Sequence, residues 1–222
     1  MMLCSCLAES TMDGCLRAAA TVTTTLVEHR IDYIEEEGDL RTLYNVIRQP
    51  VISTVRPVWE GGRSTVEDDE REAMLVKAMD AGCAAIDVEL GTRQRIRGQL
   101  LRKARNASVL TILSHHDFSG TPSLPELEAL LEEMARLQPD IVKIATLART
   151  KGDGDIMARL MDARLDHDCA LIAFCMGEAG IQSRIDALRL GAPFMYVSHG
   201  IATAPGQVGA QDMERLMGCQ AV

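Results

Sequence analysis

One lysine in the chain has the setting of a covalent catalyst. Lys143 lies in the apolar run Asp140–Ala145, and strand alternation places it on one face together with Ile141 and Ala145. Burial on such a strand disfavours the ammonium and lowers the lysine pKa from about 10.4, which leaves a neutral, nucleophilic amine. The alternative is a strand-end lysine whose stem covers apolar surface while its ammonium reaches water.

Two further residues are suited to moving protons. Of the adjacent histidines His115 and His116, alternation turns His116 to the face of Ser114, and an imidazole there can act as a general acid or base near neutral pH. Adjacent histidines on a strand point apart, which argues against a shared metal ion. Glu60 lies in a loop with a proline and two glycines that can fold close to the site, where it would orient the imidazole and stabilise its charged form. A structural histidine and a solvated loop glutamate remain the alternatives.

Other polar side chains are candidates for holding a ligand. Glu28 and Arg30 are two residues apart, so they share a strand face either as a buried ion pair or as joint ligand contacts. Arg184 begins a helix, where a guanidinium either grips a carboxylate through two parallel hydrogen bonds or is solvated. The segment Thr203–Gln207 follows the last apolar run and either closes over a site or forms an inert turn.

Short apolar runs alternate with charged, amphipathic segments, and together they must position these groups. The apolar runs predict strands at Leu3–Ala8, Thr25–Asp32, Val51–Arg56, Ala84–Leu90, Val109–Ser114, Ile141–Ala145, Ala170–Met176 and Phe194–Ser198. The amphipathic segments predict helices at Asp13–Ala20, Leu40–Arg48, Val66–Ala81, Gln94–Asn106, Leu124–Leu137, Asp155–Asp166, Ile181–Leu190 and Gln211–Met217. Ser123 and Glu126 predict a capping box, and Gly82 and Gly191 fall where helices should end.

This alternation predicts a parallel sheet covered by helices. Eight units favour a closed (β/α)8 TIM barrel, and we expect residues 1–222 to form a single domain. A doubly wound open sheet is the alternative, but no GxGxxG follows the first run. Chemistry in TIM barrels sits at the C-terminal ends of the strands, where the candidate residues would meet at one mouth.

Composition restricts the class of protein. The chain has 222 residues, of which 47% are hydrophobic and 25% charged, the profile of a soluble globular protein. The net charge of −9 argues against a nucleic-acid or anionic-membrane surface, and no apolar run approaches the ~18 residues of a membrane span. Seven cysteines without a CxxC pair suit a reducing cytosol, and no signal-peptide pattern opens the chain. We therefore expect a cytoplasmic protein.

Seven segments carry a family pattern in their order along the chain. They are Val27–Asp32, Arg56–Gly62, Ile86–Leu90, His116–Phe118 with Thr121-Pro122, Asp140–Ala145, Met176-Gly177 with Ser183-Arg184, and Ala204–Gln207. In this order and at these barrel positions the chain resembles the type I 3-dehydroquinate dehydratases over nearly its whole length. Members of that family convert 3-dehydroquinate to 3-dehydroshikimate in the shikimate pathway of aromatic amino acid biosynthesis.

The resemblance implies a TIM barrel, a homodimer and a reaction that needs neither a metal nor an organic cofactor. It implies that Lys143 condenses with the substrate ketone as a Schiff base, that His116 is the general acid/base, and that Glu60 stands beside it. The substrate-binding residues that it implies are Glu28, Arg30 and Arg56 on the hydroxyl side, Arg184 on the carboxylate, and Thr203 and Gln207 from the closing loop. The family usually has Phe where Tyr196 stands and often Ser where Thr203 stands, and both replacements keep the ring or the hydroxyl.

Two other functions fit parts of the pattern. A class I aldolase would share the lysine and the barrel, and Gly177–Gly180 could hold the phosphate of its substrate. The combination of His116 and Glu60 with Arg184 instead favours a carboxylate substrate. A non-catalytic binding barrel would need no nucleophilic amine, so the cost of burying Lys143 argues against it.

Overall fold

Eight strands and eight helices alternate in the computed structural model, which describes residues 2–36, 38–163 and 168–218. The strands are β1 (Leu3–Leu7), β2 (Leu26–Arg30), β3 (Val51–Thr54), β4 (Ala85–Glu89), β5 (Leu110–Asp117), β6 (Ile141–Leu147), β7 (Ala170–Met176) and β8 (Met195–Ser198). The helices are α1 (Met12–Ala19), α2 (Leu40–Val46), α3 (Asp68–Asp80), α4 (Gln94–Asn106), α5 (Leu124–Ala135), α6 (Gly152–Ala163), α7 (Ile181–Arg189) and α8 (Ala210–Gly218). Short 3-10 helices lie at Ile31–Tyr33, Val58–Glu60 and Glu178–Gly180.

The strands form one sheet in the order β7-β6-β5-β4-β3-β2-β1-β8, with parallel neighbours. Each strand pairs with the next along the chain, and β8 returns to β1 with Leu3 opposite Met195. The sheet curls into a nearly closed barrel with the helices outside. The predicted single-domain (β/α)8 TIM barrel is confirmed, and the open-sheet alternative is wrong.

Apolar stripes on the helices form the layer that packs against the barrel. On α5, Leu127, Leu131 and Met134 are buried at spacings of four and three residues, the period of one helix face. Each such side chain contributes about 1.5–3 kcal/mol through burial. The mouth of the barrel is filled differently, because Asp87 and Lys143 are buried there. The outer layer therefore supplies much of the apolar burial, while the mouth holds charged groups.

The predicted helix ends are confirmed at three sites. Ser123 and Glu126 form the reciprocal hydrogen bonds of a capping box at the start of α5. Gly82 and Gly191 follow α3 and α7 with φ of 98° and 94°, a conformation that glycine adopts without strain. These helix ends could be predicted from the sequence because each depends on residues that are close together in the chain.

Some element bounds differ from those predicted. β5 runs to Asp117 because it pairs with β6, which itself continues to Leu147. α6 begins at Gly152, where Asp153 Oδ2 accepts hydrogen bonds from the preceding backbone N–H groups. Residues 164–166 of the predicted sixth helix lie outside the described residues. In the described part of the chain, no helix is long and apolar enough to cross a membrane.

Candidate active site

One cavity at the C-terminal mouth of the barrel is lined by all nine site residues predicted from the sequence. Strand ends supply most of them, because parallel strands bring their C-terminal ends to the same rim. The nine are Glu28, Arg30, Arg56, Glu60, His116, Lys143, Arg184, Thr203 and Gln207. The other lining residues are Cys6, Gly61, Phe118, Phe174, Met176, Tyr196 and Ala204.

The Lys143 amine lies inside the cavity and not at the surface. The residue is 5% exposed, so the solvated strand-end alternative is wrong. Its Nζ donates a hydrogen bond of 3.3 Å to Asp87 Oδ2. The same nitrogen lies 4.0 Å from the centroid of the Tyr196 ring, whose face attracts a cation. A carboxylate and an aromatic face therefore surround the amine, and both stabilise positive charge on its nitrogen.

His116 and Glu60 form a buried pair, with Nδ1 and Oε2 2.8 Å apart. Burial raises the pKa of Glu60 to about 7, against the opposing charge of Arg56. Burial, together with the positive charges of Arg56 and Lys143, holds the pKa of His116 well below its usual value. The imidazole is therefore neutral at pH 7 and able to accept a proton. We expected Glu60 to stabilise a charged imidazole, but burial and the surrounding cations have the larger effect on the pKa of His116.

Glycines bring Glu60 to the mouth. Glu60 ends a 3-10 helix that Pro57 precedes, and Gly61 follows with φ of 77°. A Cβ at Gly61 would lie 2.2 Å from the Phe118 ring, and one at Gly62 would lie 2.1 Å from a backbone oxygen. A larger residue at either position would push the turn outward. The solvated-loop alternative for Glu60 is wrong, because the residue is buried.

Arg56 is held by carboxylates from the neighbouring strand. Its NH1 group donates to Glu89 at 2.8 Å and to Ser114 Oγ at 2.6 Å, and its NH2 group donates to Asp87 at 2.7 Å. Arg71 approaches Glu89 from α3. Burial alone would raise the pKa of Asp87, but the charges of Arg56 and Lys143 hold it well below its usual range. The mouth thus contains a fixed, ionised network.

Glu28 and Arg30 do not form the ion pair that was one alternative. Arg30 binds Asp32 through two hydrogen bonds of 2.9 and 2.7 Å. Glu28 accepts a hydrogen bond of 2.9 Å from Thr54 Oγ1. Both side chains line the cavity, so the arrangement favours the other alternative, joint contact with a ligand.

Arg184 is a buried cation without an anionic partner among the residues that the structure describes. It is 1% exposed, so the solvated alternative is wrong. Its guanidinium stacks 4.2 Å from the Phe174 ring, and one N–H lies 3.4 Å from the Pro205 carbonyl oxygen. Nε has no hydrogen-bond partner within the described ranges. Burial lowers the pKa of Arg184 to about 10, which still leaves it charged at neutral pH.

The segment Thr203–Gln207 covers one side of the cavity. The Thr203 N–H and hydroxyl donate to Gln207 Oε1 at 2.7 and 3.1 Å, and Gln207 Nε2 donates to Cys6 Sγ at 3.1 Å. Gly206 has φ of 69°, and a Cβ there would lie 2.2 Å from the Gly177 carbonyl oxygen. The segment therefore packs against the end of β7, which a side chain at Gly206 would prevent.

Sequence reasoning did not assign the residues that contact the predicted ones from neighbouring strands. Asp87 touches Lys143, and Cys6 lies opposite Glu28 in the sheet. The available signal was strand alternation, because Asp87 and Cys6 occupy inward positions of β4 and β1. Tyr196 was noticed only as a replacement, although its ring lies against the lysine.

The fold and its mouth place the protein among the (β/α)8-barrel enzymes. Comparison with known proteins gives the particular group: the chain belongs to the type I 3-dehydroquinase family, whose model matches residues 3–221. A 3-dehydroquinate dehydratase from Thermococcus gammatolerans is 39% identical over 167 residues, 75% of either chain. Another from Desulfotalea psychrophila is 31% identical over 214 residues, 95% of this chain and 94% of the relative. The predicted family is confirmed, and the match favours neither the aldolase nor the binding barrel.

Solved structures agree on the fold. The type I 3-dehydroquinate dehydratase of Clostridium difficile superposes with a TM-score of 0.90 at 23% identity, covering 98% of this chain and 91% of that one. The 3-dehydroquinate dehydratase of Aquifex aeolicus gives a TM-score of 0.80 at 25% identity, covering 100% and 99%. The barrel is therefore shared over almost the entire chain.

Proposed function

We propose that the protein dehydrates 3-dehydroquinate to 3-dehydroshikimate in the shikimate pathway through a Schiff base on Lys143, without a metal or an organic cofactor. The observation that carries the proposal is a buried amine facing the same cavity as the His116–Glu60 pair and the Arg184 guanidinium, which has no anionic partner in the described part of the chain. The three supply a nucleophile, a proton carrier and an anion site.

The first step joins the enzyme to the ketone. The Lys143 ammonium, held beside Asp87, gives one proton to His116, and the freed amine attacks the carbonyl carbon. The carbonyl oxygen then takes one proton from the nitrogen and the other back from His116 and leaves as water, so that a protonated imine remains. Each stage moves a proton, and His116 is suited to this because its imidazole is neutral and 10% exposed at the cavity. Glu60 fixes the ring orientation through the 2.8 Å contact to Nδ1.

The second step is elimination. The protonated imine withdraws electrons from the adjacent carbon, so His116 removes a proton there and an enamine forms. The enamine electrons then expel the hydroxyl of the next carbon, which leaves as water with the proton that His116 returns. Hydrolysis of the new protonated imine releases the conjugated product and restores the Lys143 ammonium. Atoms and charge balance without a redox partner.

The remaining residues hold the substrate. Arg184 binds the carboxylate, because a buried guanidinium that no described residue pairs with an anion gains most from a charged ligand. The hydroxyl groups face Glu28, Arg30 and Arg56, whereas Thr203 and Gln207 close the opposite side. The homodimer stays a prediction that light scattering of the purified protein would test.

Trapping with borohydride tests the proposed function. In the presence of 3-dehydroquinate, borohydride should add one reduced adduct to the wild type by intact mass, and peptide mapping should find it on residue 143. Lys143→Ala and Lys143→Met should abolish both the adduct and the ultraviolet signal of the conjugated product; the Met variant preserves the packing of the stem. Lys77→Ala, which removes an exposed lysine, is the matched control and should behave as wild type. Turnover by folded Lys143→Met would refute the proposal.

A further inference from the structure

Asp87 touches the atom on which the proposed reaction occurs. The residue is fully buried in β4, and its two carboxylate oxygens have different partners. Oδ1 accepts a hydrogen bond of 2.5 Å from Ser114, whereas Oδ2 accepts from Arg56 at 2.7 Å and from Lys143 Nζ at 3.3 Å. Three donors therefore fix the carboxylate with one oxygen beside the amine.

The position of Asp87 relative to other anions sets it apart. Over the described residues it is the one carboxylate within 4.0 Å of Nζ. Glu89, two residues further along the same strand, also binds Arg56 but pairs on its other oxygen with Arg71, away from the amine. The Tyr196 ring is the second group that stabilises positive charge at this nitrogen. Stabilisation of positive charge on Nζ therefore depends mainly on Asp87.

That charge changes during the proposed reaction. The protonated imine is cationic, the enamine nitrogen is neutral, and loss of the hydroxyl makes the nitrogen cationic again. A buried cation is costly without a nearby anion. If the imine lost its proton to the solvent, its nitrogen would withdraw electrons weakly and elimination would stop.

We propose that Asp87 is a catalytic residue that holds the imine nitrogen in its protonated form by accepting its N–H hydrogen bond. This inference rests on the proposed function, because it concerns the imine on Lys143. Asp87 gains and loses no proton itself: Arg56, Ser114 and the nitrogen donate to it throughout. Its role is electrostatic, and it acts on each cationic state of the nitrogen.

The test compares two variants that each remove one buried carboxylate bound to Arg56. Asp87→Asn removes the charge beside Nζ, and Glu89→Gln removes a charge that does not contact the amine. We expect kcat of Asp87→Asn to fall on the order of 100-fold below that of Glu89→Gln, as for the loss of one preorganised electrostatic contact. Circular dichroism and thermal melting establish that both variants are folded. Equal kcat values in folded variants would overturn the inference.

A second readout separates this role from a structural one. Borohydride reduces the protonated imine, so trapping should decline at alkaline pH as that proton is lost. In Asp87→Asn the decline should occur at lower pH by about one unit or more, since removal of a neighbouring anion disfavours the cation. Ser114→Ala keeps the Asp87 charge but removes the hydrogen bond to Oδ1 and the one that Arg56 donates to Ser114 Oγ. It should shift the decline in the same direction by less.

The two proposals fail in different ways. Absence of a trapped adduct in the wild type would refute the Lys143 imine and the role of Asp87 with it. Normal trapping in the wild type, with an alkaline decline at unchanged pH in both Asp87→Asn and Ser114→Ala, would refute only the role of Asp87.

Discussion

His29 should make the protein lose stability in mild acid. It lies on β2 between Glu28 and Arg30, but alternation turns it away from the cavity, toward the helices. The side chain is completely buried, with Nδ1 3.1 Å from Tyr44 Oη and Nε2 3.7 Å from Cys15 Sγ. Neither neighbour carries a charge that would favour an imidazolium.

The size of the effect follows from the pKa of His29. Burial lowers it to about 4 from the ordinary 6.5. Between those values the unfolded chain binds a proton that the folded protein does not, so the free energy of unfolding falls as pH falls. At pH 5 the gap is 6.5 − 5 = 1.5 pH units, which corresponds to about 2 kcal/mol. The full stability contribution is present above pH 6.5.

Other buried groups titrate over the same range, so a single stability curve would not isolate His29. His116 acts in the same direction, because its pKa is also lowered. Glu60 acts in the opposite direction: its pKa is raised from 4.5 to about 7, so the folded protein binds more protons and gains relative stability in acid. The useful quantity is the difference between the wild type and a variant that cannot titrate at position 29.

The assay is urea unfolding followed by circular dichroism between pH 5 and 8, on the wild type and His29→Gln. We expect the wild type to lose about 2 kcal/mol more than His29→Gln between pH 8 and pH 5. His199→Gln, at a partly exposed histidine, is the matched control and should parallel the wild type. Parallel curves for the wild type and His29→Gln would refute the reasoning, because they would mean that His29 protonates freely in the folded protein.

Three further predictions concern the mouth. Because the pKa of Glu60 is about 7, kcat/KM of the wild type should rise between pH 6 and 8 as Glu60 ionises. Glu60→Gln should be about 100-fold slower and should lack that rise. A Glu60→Gln variant with the pH profile of the wild type would contradict this prediction. Tyr196→Phe should keep kcat within a few-fold and stabilise the fold by about 1 kcal/mol, because the Tyr196 hydroxyl lacks a partner among the described residues. Tyr196→Leu should slow turnover, because it removes the ring beside Lys143. Equal kcat values for the two variants would show that the ring does not act on Lys143. Arg184→Gln should raise KM at least about tenfold with a smaller change in kcat, and steady-state kinetics showing the reverse would place the carboxylate elsewhere.

Much of the fold and the positions of the main site residues were predictable, because they depend on short-range periodicity. A strand alternates with period two, so the inward placement of Lys143 and His116 could be read from the residues beside them. Helix ends at Gly82 and Gly191 depend on a local backbone preference. The barrel followed from the number and order of these elements.

Partners of the buried charges were not predictable to the same extent. Asp32 binds Arg30 because the chain turns into a 3-10 helix directly after β2, which a strand-based prediction of Thr25–Asp32 does not include. Arg71 reaches Glu89 from a helix outside the barrel. Such contacts depend on which side chains meet across the folded molecule, and spacing along the chain carries little information about that.

The distribution of charge in the mouth also bears on the choice of ligand. Arg30 is paired with Asp32, while Arg56 and Lys143 share Asp87. Among the described residues of the cavity, this leaves Arg184 as the cation without a carboxylate partner. One unpaired guanidinium matches a single carboxylate, through two parallel hydrogen bonds. A phosphate dianion would bring a second negative charge into a cavity that already holds the carboxylates of Glu28 and Glu60. The described lining residues offer no further free cation to balance it. The charges of the mouth therefore favour a carboxylated, non-phosphorylated substrate, which is the opposite of what a phosphosugar aldolase would require.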